Sequence, residues 1–241
     1  MAQFVYGKNV VLQLLKDHKT IYQLMIMENS KNDEITKLAQ KNGLKVSILS
    51  KKEMDKIIDD RHQGVIAKID DYRLYELNDI LSGIPEGKMP LLVVLDGLED
   101  PHNLGAILRT CDGVGVDGVI IMKNRSVTLN ATVAKVSCGA IDTVKVAQVT
   151  NLTATIKELK KKNFWVCGAD NNEALDYRRP DYNVPLVLVI GSEGSGISRL
   201  VRENLDYSVK LPMAGKLSSL NASVATGIML YQIYDQRYPL K

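Results

Sequence analysis

The stretch "PLVLVIGSEGSGISRL", residues 185–200, indicates the fold class of this chain more directly than any other. It opens with an uninterrupted apolar run, passes through Gly191, Gly194 and Gly196, and ends in a helical pattern. Strands that are apolar on both faces are typical of a parallel sheet covered by helices on both sides. The glycines allow a sharp bend and let a ligand approach main-chain N–H groups.

Similar apolar strands recur through the second part of the chain, with helical patterns between most of them. We predict strands at 91–97, 118–122, 143–149, 163–170, 185–191 and 207–212. This alternation predicts a doubly wound α/β domain, in which ligands bind beyond the carboxyl ends of the strands.

A shorter alternation occupies the first 70 residues. We predict strands at 22–27, 45–49 and 64–69 and helices at 33–43 and 50–60. The segment "SGIPEGKMP", residues 82–90, holds two prolines and two glycines, which is typical of a linker or a long turn. We therefore predict a small α/β domain over 1–72, a linker over 73–89 and a larger α/β domain over 90–241.

The composition restricts the class of protein without naming a function. The 241 residues are 45% hydrophobic and 24% charged, and a net charge of +3 permits an RNA partner without requiring one. Cys111, Cys138 and Cys167 have no CxxC spacing and are predicted to be reduced, mostly buried thiols. The histidines add no metal-ligand spacing, and neither a signal peptide nor a membrane-spanning run is recognised. We expect a cytoplasmic protein without a metal.

The stretch "GVGVDG", residues 113–118, fits the dinucleotide-binding pattern GxGxxG. That pattern needs a strand before the glycines and a helix after them, so that the pyrophosphate meets a helix N-terminus. Here the predicted helix comes first and the strand follows. We therefore predict a helix stop and a tight turn, and no dinucleotide site.

Three strand ends carry unusual polar residues, and the first follows the strand at 91–97. "DGLEDPHNLGAILRT", residues 96–110, places Asn103 just before a predicted helix start near Leu104 and Arg109 within that helix. Taken alone, Asn103 is explained as a helix N-cap and Arg109 as an ordinary surface arginine.

The second cluster is the glycine-rich stretch 191–196, which carries Glu193. A phosphate loop would end in Lys followed by Ser or Thr, and that ending is missing. A carboxylate beside a backbone turn suits a ligand with hydroxyl, amine or cationic groups. A plain glycine-rich turn explains this cluster equally well when it is taken alone.

The third cluster, "PMAGKLSSLNASVATG", residues 212–227, opens the last helix. Ser218 or Ser219 can cap that helix. Asn221 and Ser223 then place further polar groups on its first turns, where such residues slightly disfavour a helix. Capping explains one serine, and a bound polar ligand would explain the surplus.

Taken together, "DPHNLGAILRT", "IGSEGSGI" and "LPMAGKLSSLNASVATG" resemble motifs one, two and three of the SpoU–TrmH family of RNA ribose 2′-O-methyltransferases, in the SPOUT superfamily. They occur in the family's order. Residues 124–140 are similar to the region between motifs one and two in members that methylate guanosine in 23S rRNA. The stretches 7–16 and 61–69 resemble signatures of the family's N-terminal substrate-binding domain.

The resemblance implies an α/β protein with a trefoil-knotted SPOUT catalytic domain and a smaller N-terminal domain of the L30e-like type. It implies transfer of a methyl group from S-adenosyl-L-methionine (AdoMet) to the ribose 2′-hydroxyl of a guanosine, with 23S rRNA favoured over tRNA as substrate. It also implies a homodimer packed through the catalytic domains, with each active site near the interface. A non-catalytic RNA-binding protein is the alternative from another class, and the intact motifs argue against it.

The family's motifs, matched residue by residue, imply a set of functional residues. The resemblance implies catalytic roles for Asn103, Arg109, Glu193, Ser219 and Asn221. It implies cofactor binding by Gly191, Glu193, Gly194, Leu211, Met213, Leu220 and Asn221.

The expected reaction indicates what these residues would do. A sulfonium makes the methyl group a good electrophile, so positioning and removal of the hydroxyl proton should carry most of the catalysis. The family's counterpart of Arg109 is the proposed base, but a free guanidinium keeps its proton up to about pH 12. Arg109 is therefore either a base with a nearby proton acceptor or a clamp for the adjacent phosphate and the developing alkoxide. Ser219 and Asn221 would position the ribose or the cofactor, Asn103 would brace the motif-one turn, and Glu193 would hold a neighbouring polar group.

Overall fold

The chain, seen in a computed structural model, divides into two compact units, residues 1–72 and 73–241. The structure describes residues 2–16, 19–59, 61–170, 174–217 and 219–239. Each unit contains its own sheet.

The first unit is a small α/β unit. Its described elements are β1 (Ala2–Tyr6), α1 (Lys8–Lys16), β2 (Ile21–Met27), α2 (Asp33–Lys41), β3 (Val46–Leu49), α3 (Lys51–Ile57) and β4 (Val65–Asp70). The four described strands lie in the order β1-β4-β2-β3, with β2 parallel to β3 and β4 antiparallel to both of its neighbours. Met54 of α3 packs against Met25 and Ile66 of this sheet in a buried cluster.

The second unit carries the longer alternation of strands and helices. Its described elements are α4 (Leu77–Ser82), β5 (Leu91–Asp96), α5 (Pro101–Val114), β6 (Gly118–Met122), α6 (Ala131–Ser137), α7 (Ala140–Thr143), β7 (Val146–Val149), α8 (Leu152–Lys161), β8 (Trp165–Ala169), β9 (Leu175–Asp176), β10 (Leu186–Gly191), α9 (Arg199–Arg202), β11 (Tyr207–Lys210) and α10 (Ala222–Arg237).

Seven described strands of this unit form one sheet in the order β7-β6-β5-β10-β8-β11-β9, and every neighbouring pair is parallel. One face packs against α4, α8 and α9 through buried residues such as Ile80, Ile156 and Val201. On the other face α10 packs against β10 and α5. From β5 the chain continues outward through β6 and β7 and then crosses to β8, so the strand order reverses beside β5, where doubly wound folds form their ligand sites.

The predicted α/β class with a parallel sheet is confirmed. Each predicted strand overlaps an observed one, with ends that agree within three residues. The expected turn at 113–118 is also confirmed: α5 ends at Val114, Gly115 adopts φ +71°, and β6 begins at Gly118. The sequence patterns do not predict β1, or β9, which has only two residues. The trefoil knot that the resemblance implies stays a prediction.

The segment 73–89, expected as a linker, packs into the second unit. The Tyr75 N–H donates to Val146 O over 2.9 Å, and α4 follows at once. Ile80 of α4 is fully buried in the core formed with β5 and β6. The prolines and glycines of 82–90 predicted an irregular backbone, but they carried no information on the burial of the apolar residues before them.

Arg237, in the last turn of α10, fastens the C-terminal helix to the start of two central strands. Its guanidinium donates to the carbonyls of Tyr182 (3.0 Å), Met89 (3.0 Å), Pro90 (3.2 Å) and Val184 (2.6 Å). Burial lowers the pKa of this guanidinium. Removal of the side chain would leave the carbonyls of Tyr182, Met89 and Val184 without this donor, whereas Pro90 O also accepts from the Leu186 N–H over 3.1 Å.

We expect Arg237→Met to lower the melting temperature by about 5–10 °C, because several half-buried carbonyls would be left without a donor. Thermal unfolding followed by circular dichroism measures the effect. Arg199→Met is the matched control, since Arg199 and its partner Glu203 are 77% and 52% exposed, and such surface pairs contribute little. Equal melting temperatures for the two variants would contradict this role of Arg237.

Candidate active site

A cavity of about 330 Å³ opens beyond the carboxyl ends of β8, β10 and β11. It is lined by Asp170, by the loop 191–196, by Leu211 and Met213, and by Ser219 and Leu220. Every cofactor-binding residue implied by the resemblance borders it, except Asn221, whose two chain neighbours do. The role of each of these residues stays a prediction.

The loop after β10 folds back on itself. Ser192 and Gly196 exchange two backbone hydrogen bonds, of 3.2 and 2.9 Å, and Gly196 adopts φ +66°. Gly191 lies against the returning chain so closely that an added Cβ would be 2.1 Å from Gly196 C and 2.3 Å from Ile197 N. Gly191 is therefore required by the close approach of two backbone segments, which the sequence does not reveal.

Asp96 ties this loop to the end of β5. Its side chain is buried, and Asp96 Oδ2 accepts from the Ser198 N–H over 2.7 Å. The contact spans 102 residues of sequence and sets the loop after β10 against the loop after β5. Sequence analysis did not single out Asp96, because an aspartate at a strand end followed by glycine is also typical of an ordinary turn.

Asn103, Glu193 and Asn221 form a closed triangle of hydrogen bonds. Asn103 Nδ2 donates to Glu193 Oε1 over 2.9 Å, and Asn221 Nδ2 donates to the same oxygen over 2.5 Å. Asn221 Nδ2 also donates to Asn103 Oδ1 over 2.9 Å. The three sequence clusters thus meet at one point, as a shared ligand site requires.

Asn221 also caps α10. Its Oδ1 accepts from the N–H groups of Ser223 (3.0 Å) and Val224 (3.3 Å) and from the Ser223 hydroxyl (2.6 Å). The expectation that Ser219 caps this helix is wrong, because the helix begins at Ala222; the alternative cap, Ser218, lies outside the described residues. Asn221 therefore uses its oxygen for the helix and its amide nitrogen for the triangle.

The cap of α5 is Asp100, whose Oδ1 accepts from the His102 N–H over 2.9 Å. The alternative in which Asn103 caps this helix is wrong, because α5 begins at Pro101 and Asn103 lies in its first turn. Asn103 is buried, and its side chain is free of capping and available to Glu193.

Arg109 lies apart from the triangle. It is six residues after Asn103, about 9 Å further along α5 and on a different side of the helix. Its side chain is exposed, and within the described part of the chain Arg109 Nη1 donates to Cys138 Sγ over 3.6 Å. Arg109 is also outside the described lining of the cavity. The structure therefore joins Asn103, Glu193 and Asn221 but does not bring Arg109 to them within one chain.

The cysteines divide into two kinds. Cys111 and Cys167 are buried. Burial raises the pKa of both thiols, that of Cys167 to about 12. Cys138, in contrast, is exposed beside Arg109. Among the described residues, no group of three or more His, Cys, Asp or Glu side chains is placed to hold a metal ion.

A family model described as the SpoU rRNA methylase family matches residues 90–231, which include the cavity and the triangle. The chain belongs to the SpoU rRNA methylase family. A second model, described as the substrate-binding domain of RNA 2′-O ribose methyltransferases, matches residues 4–75 of this SpoU family member.

Relatives and solved structures agree with this assignment. A Bacillus subtilis protein assigned to the TrmH family of tRNA/rRNA methyltransferases is 45% identical over 98% of this chain and 97% of its own length. An AdoMet-bound rRNA methyltransferase from Sinorhizobium meliloti is 25% identical, with a TM-score of 0.70 over 100% of this chain and 88% of its own. A SpoU methyltransferase from Streptomyces viridochromogenes, crystallised with AdoMet, shares the fold at 22% identity, with a TM-score of 0.75 over 100% of this chain and 92% of its own.

The described helices of this SpoU family member include none that is both long enough and apolar enough to cross a membrane.

The closeness of Gly191 to the returning loop yields a direct test. Gly191→Ala should lower the melting temperature by several degrees and distort the cavity, since the added Cβ meets backbone atoms at 2.1 and 2.3 Å. Gly194→Ala is the matched control, because a Cβ there meets no described atom within 4 Å. Thermal unfolding of both variants measures the difference, and equal stability would show that the loop relaxes easily.

Proposed function

We propose that this chain transfers a methyl group from AdoMet to the ribose 2′-hydroxyl of a guanosine in a structured RNA, with 23S rRNA as the favoured substrate. Family membership supports RNA methyl transfer as the general activity. The observation that carries the proposal is the triangle of Asn103, Glu193 and Asn221 beside a cavity at the strand ends. We also propose that the protein acts in the cytoplasm.

The cavity fits AdoMet. Its volume of about 330 Å³ is within the range of small-molecule sites. Its walls combine backbone from the loop 191–196 with the carboxylates of Asp170 and Glu193. Such a donor and acceptor set suits a ligand with hydroxyl, amine and cationic groups. We assign its binding to Gly191, Glu193, Gly194, Leu211, Met213, Leu220 and Asn221.

AdoMet, when bound, supplies a methyl group that its sulfonium makes electrophilic. The protein's own residues then have to position the ribose hydroxyl and favour loss of its proton. The triangle holds Glu193 and Asn221 in one geometry, so that their orientation does not have to be gained during the reaction. Ser219, exposed at the cavity, is left to contact the ribose or the cofactor.

Arg109 acts in this proposal as an electrostatic clamp. A guanidinium holds its proton at neutral pH and binds phosphate with two parallel hydrogen bonds. Its contact in the described chain, the Cys138 thiol, is a weak acceptor that gives little help in removing a proton. We therefore assign Arg109 to the phosphate next to the target ribose and to the developing alkoxide.

We further propose a homodimer in which Arg109 of one chain serves the cavity of the other. Val224, Ile228 and Tyr231 are 49%, 37% and 57% exposed and recur at intervals of four and three residues, so they form an apolar stripe along α10. Tyr231 reaches α5, since its hydroxyl is 3.7 Å from where a Cβ of Gly113 would be. Gly113 is one turn after Arg109. A dimer that covers the stripe would therefore bring Arg109 to the interface.

Arg109→Ala should reduce methyl transfer at least about 100-fold, as expected for loss of a group that stabilises developing charge. AdoMet affinity should change less than about 2-fold, because Arg109 is outside the described lining of the cavity. The assay uses labelled AdoMet and total RNA from a strain that lacks the gene, with the methylated nucleotide mapped by primer extension.

Arg178→Ala is the control for loss of an exposed arginine, since Arg178 pairs with Asp176 over 2.6 Å outside the described cavity lining. Normal turnover by Arg109→Ala would remove Arg109 from the mechanism. Methylation of tRNA in place of 23S rRNA would favour the tRNA alternative, and AdoMet-independent RNA binding without transfer would favour a non-catalytic protein.

Mixed dimers test whether Arg109 acts across the interface. A dimer of one Arg109→Ala chain and one Glu193→Gln chain should recover about half of the wild-type activity, because one cavity retains Glu193 and faces an intact Arg109. Each variant alone should be inactive. Differently tagged chains, co-purified and assayed as above, provide the measurement.

The reciprocal dimer is the control. A wild-type chain paired with a chain that carries both substitutions should be inactive if Arg109 acts in trans and half-active if it acts within its own chain. Activity in this reciprocal dimer, together with inactivity of the mixed dimer, would place Arg109 in the cavity of its own chain.

A further inference from the structure

Asp170 is a buried carboxylate at the cavity for which neither the motifs nor the reaction gives a role. It follows the last residue of β8, and its N–H donates to Val209 O over 3.0 Å, which fixes its backbone against β11. The side chain is 7% exposed, yet it borders the cavity. A carboxylate in such a position has to be compensated by a partner.

Arg202 of α9 is that partner. Arg202 Nε donates to Asp170 Oδ2 over 2.7 Å, and Arg202 Nη2 donates to Ile197 O over 2.8 Å. The pair thus joins the end of β8 to the loop after β10. A purely structural role does not explain why an ion pair is present here, because well-packed apolar side chains commonly stabilise such a position as well as a buried ion pair does.

Two carboxylates, Asp170 and Glu193, border the described part of the cavity. Glu193 is engaged by Asn103 and Asn221 near the end of β5. β8 lies two strands away from β5 in the sheet, about 10 Å along its edge. Asp170 is therefore the acidic group on the side of the cavity away from the triangle, and it is not engaged by Asn103 or Asn221.

We propose that Asp170 accepts hydrogen bonds from the ribose hydroxyls of bound AdoMet and that Arg202 positions the carboxylate. The inference rests on the proposed function, since it concerns the same cofactor. A carboxylate that accepts from ribose hydroxyls is a general means of recognising a nucleoside. Asp170 is thus a binding residue, and Arg202 is a positioning residue that acts through it.

Titration calorimetry on the full chain tests this with S-adenosylhomocysteine, the form of the cofactor without the methyl group, and with its 2′-deoxy and 3′-deoxy analogues. Wild-type protein should bind at least one deoxy analogue about 10-fold or more weakly than the parent, because a hydrogen bond to a charged group is lost. Asp170→Asn should bind the parent about 10-fold more weakly and reduce the discrimination to within about 2-fold.

Two variants serve as controls. Asp206→Asn removes a paired carboxylate outside the described cavity lining, where Asp206 accepts from Lys160 Nζ over 2.6 Å, and it should keep the full discrimination. Arg202→Lys keeps the positive charge but loses the bond to one of its two partners. Its discrimination between the parent and the deoxy analogues should lie between those of the wild-type protein and Asp170→Asn.

Full discrimination in Asp170→Asn would overturn the inference, and so would wild-type protein that binds the parent and both analogues equally. The second result needs no variant, so it decides the question even if Asp170→Asn fails to fold. Absence of any binding of S-adenosylhomocysteine to wild-type protein would overturn the proposed function as well, whereas binding without discrimination would overturn this inference alone.

Discussion

A single oxygen atom, Glu193 Oε1, holds the candidate site together. It accepts from the side-chain amides of Asn103 and Asn221, and the Ala222 N–H lies 3.4 Å from it. The donors belong to the first turn of α5 and the start of α10, which lie 90 and 28 residues from Glu193 in sequence. They can converge because a parallel sheet places the carboxyl ends of β5, β10 and β11 along one edge. The roles proposed for Asn103, Glu193 and Asn221 depend on this convergence.

The same edge also contains buried carboxylates, and each of them has a hydrogen-bond donor as its partner. Asp96 accepts a backbone N–H from the start of α9, and Asp170 is paired with Arg202. Each contact joins a strand end to the segment that follows β10. The same contact therefore compensates a buried carboxylate and orders the wall of the cavity. Gly191 completes the arrangement by letting two backbone segments approach where no side chain fits.

The sequence predicted which types of residue cap the helices, but not which residue caps each helix. Aspartate, asparagine and serine are all good N-caps, and the sequence offers several at each helix start. Tertiary contacts decided among them: Asp100 caps α5, which leaves Asn103 for Glu193, and Asn221 caps α10 with its oxygen while its nitrogen reaches the triangle. The caps suggested for α5 and α10 at Asn103 and Ser219 were therefore wrong, whereas the surplus polar groups of the last cluster include Asn221, which joins the triangle.

The sequence by itself determined most of the alternation of strands and helices, the α/β class, the turn at Gly115 and the three clusters that carry the family's motifs. These depend on periodicity, residue type and local backbone preference, which neighbouring residues encode. Only the tertiary structure decided that Asn103, Glu193 and Asn221 touch, that Arg109 does not join them in one chain, and that 73–89 packs as part of a core. Those outcomes depend on contacts between residues that are far apart in sequence. Such residues come close together only when the strands have assembled into the sheet.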